Sequence, residues 1–119
     1  MATRSILAVQ SGDSYKAVYC HWDGYPEHHL PILKTRYNSS KNATKLIKPG
    51  DISCLETEET WERNSKRPAQ PLYYWERGEK NVNFQKFSDL EKVANYGSNM
   101  CCEYMYVYVP RKGWYCQPL

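Results

Sequence analysis

Tyr19-Cys20-His21-Trp22-Asp23-Gly24-Tyr25-Pro26-Glu27 stands where a strand pattern gives way to a helical one. These nine residues hold three aromatics, a thiol, an imidazole, two carboxylates, a glycine and a proline. Asp-Gly is a turn dipeptide, because glycine readily adopts the positive φ that other residues resist. Pro26 fixes its own φ and pushes Tyr25 towards an extended backbone. Glu27 suits the first turn of a helix, where a carboxylate meets the positive end of the helix dipole. The corner is therefore stiff and can hold its side chains in place. Two readings follow: a rigid strand-to-helix corner with Trp22 and Tyr25 plugging the core edge, or a binding corner built from Tyr19, His21, Trp22, Asp23, Tyr25 and Glu27.

Upstream of the corner, residues 5–10 are apolar enough for a strand and Ser11-Gly12-Asp13 is a turn cluster. Residues 15–21 alternate, with Lys16, Val18 and Cys20 on one face and Tyr15, Ala17, Tyr19 and His21 on the other. Two such runs around a short glycine-containing turn predict a β-hairpin. Downstream, Leu30, Ile32, Leu33 and Tyr37 fit one helical face over 28–37, with Pro31 tolerable only near the start. Residues 38–40 break that helix. A second one over 42–48 buries Leu46 and Ile47 and stops at Pro49-Gly50.

Residues 51–55 predict a short strand and 56–71 an exposed variable loop. Residues 71–75 predict a strand, 76–79 a turn, and 81–87 its hairpin partner. Ser88 with Glu91 has capping-box spacing for a helix to Asn95 that Gly97 terminates. Over 102–109, Met105, Val107 and Val109 form an apolar face and Tyr104, Tyr106 and Tyr108 a ladder on the other. Trp114-Tyr115-Cys116 then pairs back across the turn at 110–113. Such a ladder serves as cross-strand packing or, if exposed, as a protein-binding surface. The sum is a single α+β domain over 1–119: an antiparallel sheet of about five strands with two or three short helices.

The 119 residues can bury a core without staples, and apolar residues make up an ordinary 41%. Eleven Tyr and four Trp against two Phe favour half-wet positions such as sheet surfaces and pocket walls. A net charge of +3 does not by itself argue for nucleic acid. Met1 to Gln10 holds only a short apolar patch and no cleavage site, and no segment is long enough to span a bilayer, so the expectation is a soluble intracellular protein. Five cysteines with no framework spacing predict free thiols. Cys20, His21, His28 and His29 match no usual zinc spacing, so neither a metal nor another cofactor is expected.

One band is notable. Lys34, Arg36, Lys41, Lys45 and Lys48 occur with no acid among them, a pattern that suits phosphate contacts or a solvated face. Asp51, Glu56, Glu58, Glu59 and Glu62 then reverse the sign.

The motif Tyr19 to Glu27 resembles one found in a group of small bacteriophage and prophage proteins. So do Leu33, Tyr37-Asn38, Lys45-Leu46-Ile47, Gly50-Asp51-Ile52-Ser53 and, near the end, Tyr104, Tyr106, Val107, Tyr108 and Gly113-Trp114-Tyr115. The resemblance covers the first half and the end; the middle, 55–81, departs from it. It implies a phage accessory protein acting in the host cytoplasm by binding and blocking a host or defence-system protein. Two other readings stand beside it. One is a nucleic-acid binder using the basic band, with Tyr37 stacking on bases. The other is a small nucleotide-directed enzyme or ligand-binding protein centred on His21, Asp23 and Glu27, whose imidazole and carboxylates suit acid–base work.

Overall fold

The computed structural model describes residues 3–22, 24–55, 72–74 and 83–119. The expected loop at 56–71, the two end residues of the strand at 71–75, the turn at 76–79 and Asp23 lie outside the described residues. Strand β1 (Ser5–Ser11) and strand β2 (Ser14–Trp22) form the expected hairpin, with register from Ser5 opposite Cys20 to Ser11 opposite Ser14. Gly12 opens its two-residue loop at φ 60°, the positive φ that such tight hairpin loops demand.

Helix α1 (Pro26–Arg36) and helix α2 (Ser40–Ile47) follow. Pro26 sits at the start of α1, where its missing N–H is an orphan in any case. Pro31 lies inside the helix rather than near its start; it is exposed, and the Thr35 hydroxyl donates to its carbonyl at 2.6 Å. Ser39 caps α2 by accepting from the Asn42 N–H at 3.1 Å. After these helices, strand β3 (Ile52–Cys54) lies parallel to the end of β2. A parallel return needs a crossover of about a dozen residues or more, and α1 and α2 supply it.

Strand β4 (Leu72–Tyr73) pairs antiparallel with β3. Strand β5 (Gln85–Phe87) pairs with β2, opposite Tyr15 to Ala17, rather than with β4 as expected. Helix α3 (Leu90–Asn99) is capped by Asp89, not Ser88: the Asp89 carboxylate accepts from the Lys92 N–H at 2.9 Å. Gly97 does not end this helix. It is a packing glycine, because a Cβ there would meet Leu119 at 2.8 Å and Ile6 at 2.9 Å. Strand β6 (Tyr104–Val109) runs parallel to β1, and strand β7 (Gly113–Pro118) pairs back on β6 as expected.

The α+β single domain is as expected, but the sheet is mixed rather than antiparallel. Its order is β4-β3-β2-β1-β6-β7, with β5 also on β2. Each face carries a buried layer. Leu7, Val9, Val18, Cys20, Tyr106 and Tyr108 pack under α1 and α2 with Leu33, Leu46 and Ile47. Ile6, Ala8, Ala17, Tyr19, Met105 and Val107 pack under α3 with Val93. Residues Ile6 to Val9 are thus buried whichever way they point.

Candidate functional site at the β2–α1 corner

Strand alternation sends Tyr19 and His21 to the α3 face and Cys20 to the α1 face. The Tyr19 hydroxyl and His21 Nδ1 share a hydrogen bond of 2.5 Å, and the His21 ring meets Trp22 edge-on at 4.8 Å. Burial pushes the Tyr19 phenol up to about 12, opposed by the Arg4 charge. Burial also lowers the His21 pKa, and Arg4 lowers it further. Both effects favour the neutral form of this histidine.

Gly24 is pinned from two sides. Its N–H donates to the Thr3 carbonyl at 2.8 Å, and its carbonyl accepts from the Tyr106 hydroxyl at 2.5 Å. A Cβ at Gly24 would lie 2.7 Å from the Thr3 carbonyl and 2.8 Å from Ser5. The requirement for glycine here is a close approach of chains; Gly24 is not among the described glycines at positive φ, which are Gly12, Gly50 and Gly113. Tyr25 is extended (φ −77°, ψ 152°), as Pro26 dictates, and its carbonyl takes the His28 and His29 N–H groups at 3.1 Å each.

Behind the corner lies His29, wholly buried. Its Nδ1 stands 3.1 Å from His28 Nδ1, its Nε2 stands 3.4 Å from Ser5 Oγ, and its ring lies 5.1 Å from that of Tyr106. Burial, with a smaller push from His28, lowers its pKa to about 3. Outside the corner, Trp22 and Tyr25 remain 45% and 39% exposed. The plug predicted for these two residues is thus supplied by Tyr106 and His29 instead.

His21 is bonded to Tyr19 on the α3 side, whereas Glu27 stands in the first turn of α1. Burial raises the Cys116 pKa, and the Glu27 charge raises it further. Asp23 lies outside the described residues. Among the described residues, no group of three His, Cys, Asp or Glu side chains is placed to hold a metal ion.

Of the two readings of the tyrosine ladder, packing holds and the exposed interface does not. Tyr106 is fully buried, Tyr108 is 4% exposed and Tyr104 is half-buried, all packed in the α1/α2 layer. Burial drives the Tyr106 phenol far above its ordinary range. Tyr37 is likewise packed against the core, which withdraws it from base stacking. Lys34, Arg36, Lys41, Lys45 and Lys48 are all exposed.

The sequence reading missed Asp51. Strands β5 and β3 share one edge of β2, opposite Tyr15 to Ala17 and Cys20 to Trp22 respectively. In the gap between them the Asp51 carboxylate accepts from the Tyr19 N–H at 3.0 Å. Burial raises the Asp51 pKa, and that hydrogen bond opposes the rise. The available signal was an acid directly after the Pro49-Gly50 stop.

The arrangement is a mixed-sheet α+β domain presenting two aromatic side chains on a fixed corner. No protein-family model matches the chain, and comparison with curated proteins and with solved structures finds no match either.

Proposed function

We propose that the protein is a non-catalytic binding protein, of the phage accessory kind that its motif resembles, and that it docks a host or defence-system protein through the corner. The observation that carries this reading is the exposure of Trp22 and Tyr25 beside a backbone pinned at Gly24. Exposed aromatics on rigid backbone make interface anchors, since they cover large areas and lose little entropy when a partner covers them. The acid–base reading has less support, since His21 is bonded to Tyr19 and Glu27 stands in the first turn of α1.

The test is a tagged pull-down from bacterial lysate, with and without nuclease, using the wild type and a Trp22→Ala/Tyr25→Ala variant. One protein recovered in near-equal amount under both nuclease conditions, and lost with the variant at unchanged melting temperature, is the expected result. Recovery that persists in the variant moves the docking surface elsewhere. Recovery that disappears with nuclease removes the protein-binding reading.

A further inference from the structure

The basic band read from residues 34–48 is larger in three dimensions than in sequence. The β6–β7 turn abuts the segment between α1 and α2: Trp114 Nε1–H donates to the Tyr37 carbonyl at 2.9 Å, and a Cβ on Gly113 would stand 3.0 Å from Asn38 Oδ1. Arg111 and Lys112, both exposed in that turn, are thereby set beside the segment between Lys34 and Lys41. On α2 and its cap, Lys41, Lys45 and Lys48 recur at i, i+4 and i+7. At about 100° per residue they fall within an arc of roughly 60°, on the side opposite the buried Ala43, Leu46 and Ile47.

The two segments that build this surface supply no acid of their own, since residues 28–50 and 104–119 contain neither Asp nor Glu. The whole chain has 16 basic and 13 acidic residues, so gathering six cations here leaves the remainder net acidic. A modest overall charge therefore conceals a polarised one, and polarised charge steers association.

We propose that this edge, comprising Lys34, Lys41, Lys45, Lys48, Arg111 and Lys112, binds the phosphate backbone of double-stranded nucleic acid; Arg36, roughly 160° round α1 from Lys34, is not part of it. Duplex is favoured over single strand because, among the described residues, this edge presents no exposed aromatic ring. Single-strand binders stack bases on exposed aromatics. Tyr37 is packed against the core, and Tyr115, next in register to the buried Trp114, points to the other face of the sheet. Trp22 and Tyr25 stand at the opposite end of α1, an 11-residue helix about 16 Å long. Lysines and arginines without stacking partners read phosphates, which give affinity and register without base sequence. The surface is independent of the aromatic corner, so either proposal can fail alone.

The experiment is fluorescence anisotropy of a labelled duplex of about 20 base pairs, its single strand, and a poly-glutamate peptide, over a salt series. If five cations each meet one phosphate, affinity falls roughly 500-fold between about 50 and 200 mM salt. Lys41→Glu/Lys45→Glu/Arg111→Glu should abolish most binding at unchanged melting temperature, and the milder Lys48→Gln/Lys112→Gln should flatten the salt slope. Trp22→Ala/Tyr25→Ala should bind duplex as the wild type does. Four results overturn the proposal: no duplex binding at low salt, binding indifferent to both charge variants, single strand preferred over duplex, or poly-glutamate preferred over both. The last would assign the edge to an acidic protein.

Discussion

His29 sits with its ring against His28, Ser5 and Tyr106, and burial holds its pKa near 3. In the unfolded chain the same ring takes up a proton around 6.5. The unfolded state thus binds the extra proton across that window, and the stability present above pH 6.5 is lost as the pH falls towards 3. The slope approaches about 1.4 kcal/mol per pH unit for one group. Urea denaturation at several pH values should show that slope in the wild type and a shallower one in His29→Gln, the difference isolating His29 from Asp51 and His21. Parallel slopes would mean that water reaches the ring. The sequence indicated a rigid corner here, because Gly24 and Pro26 are local conformational signals. It could not indicate which side of the corner is dry. His28 and His29 are adjacent and chemically identical, and only the position of α1 over the sheet makes one half-buried and the other wholly buried.

At the level of elements, the fork in the edge of β2 gives Asp51 its importance. Between the segments paired to β5 and β3, the Tyr19 N–H is bonded by the Asp51 carboxylate rather than by a strand carbonyl. Asp51→Ala leaves this donor, in a buried residue, without its acceptor and should cost about 1–3 kcal/mol. Asp51→Asn keeps a carbonyl oxygen within reach and should cost less. Equal stability of wild type and Asp51→Ala in chemical denaturation would show that water replaces the carboxylate without loss. The elements were largely legible: the hairpin, both helices after the corner and the strand pair at the end follow from periodicity and turn residues. The pairing of β5 was not, because nothing in Gln85-Lys86-Phe87 distinguishes β2 from β4 as its neighbour. Ser88 lost the cap of α3 to Asp89 although both are good caps, and local spacing could not separate two candidates one residue apart.

For the whole molecule, β1 is the shared wall of two cores. It is paired on both edges, antiparallel to β2 and parallel to β6, and its side chains feed the α1/α2 layer and the α3 layer in alternation. The parallel pairing escaped the sequence reading, since long-range partners leave no local mark. A trace of it was present in the unbroken run Ile6-Leu7-Ala8-Val9, which is what a strand buried on both faces looks like. Because neither layer can be exposed without stripping one face of β1, the two cores should unfold together. Amide exchange followed by NMR should therefore find the slowest protons at Ile6 to Val9 and their partners in β2 and β6, all approaching the global unfolding free energy. Faster exchange belongs to the edge strand β7 beyond Cys116 and to the exposed face of α2. If the α3 layer instead exchanged as its own unit, well before the α1/α2 layer, β1 would not be coupling them. The aromatic corner at one end of α1 and the basic turn at the other would then rest on the α1/α2 layer alone.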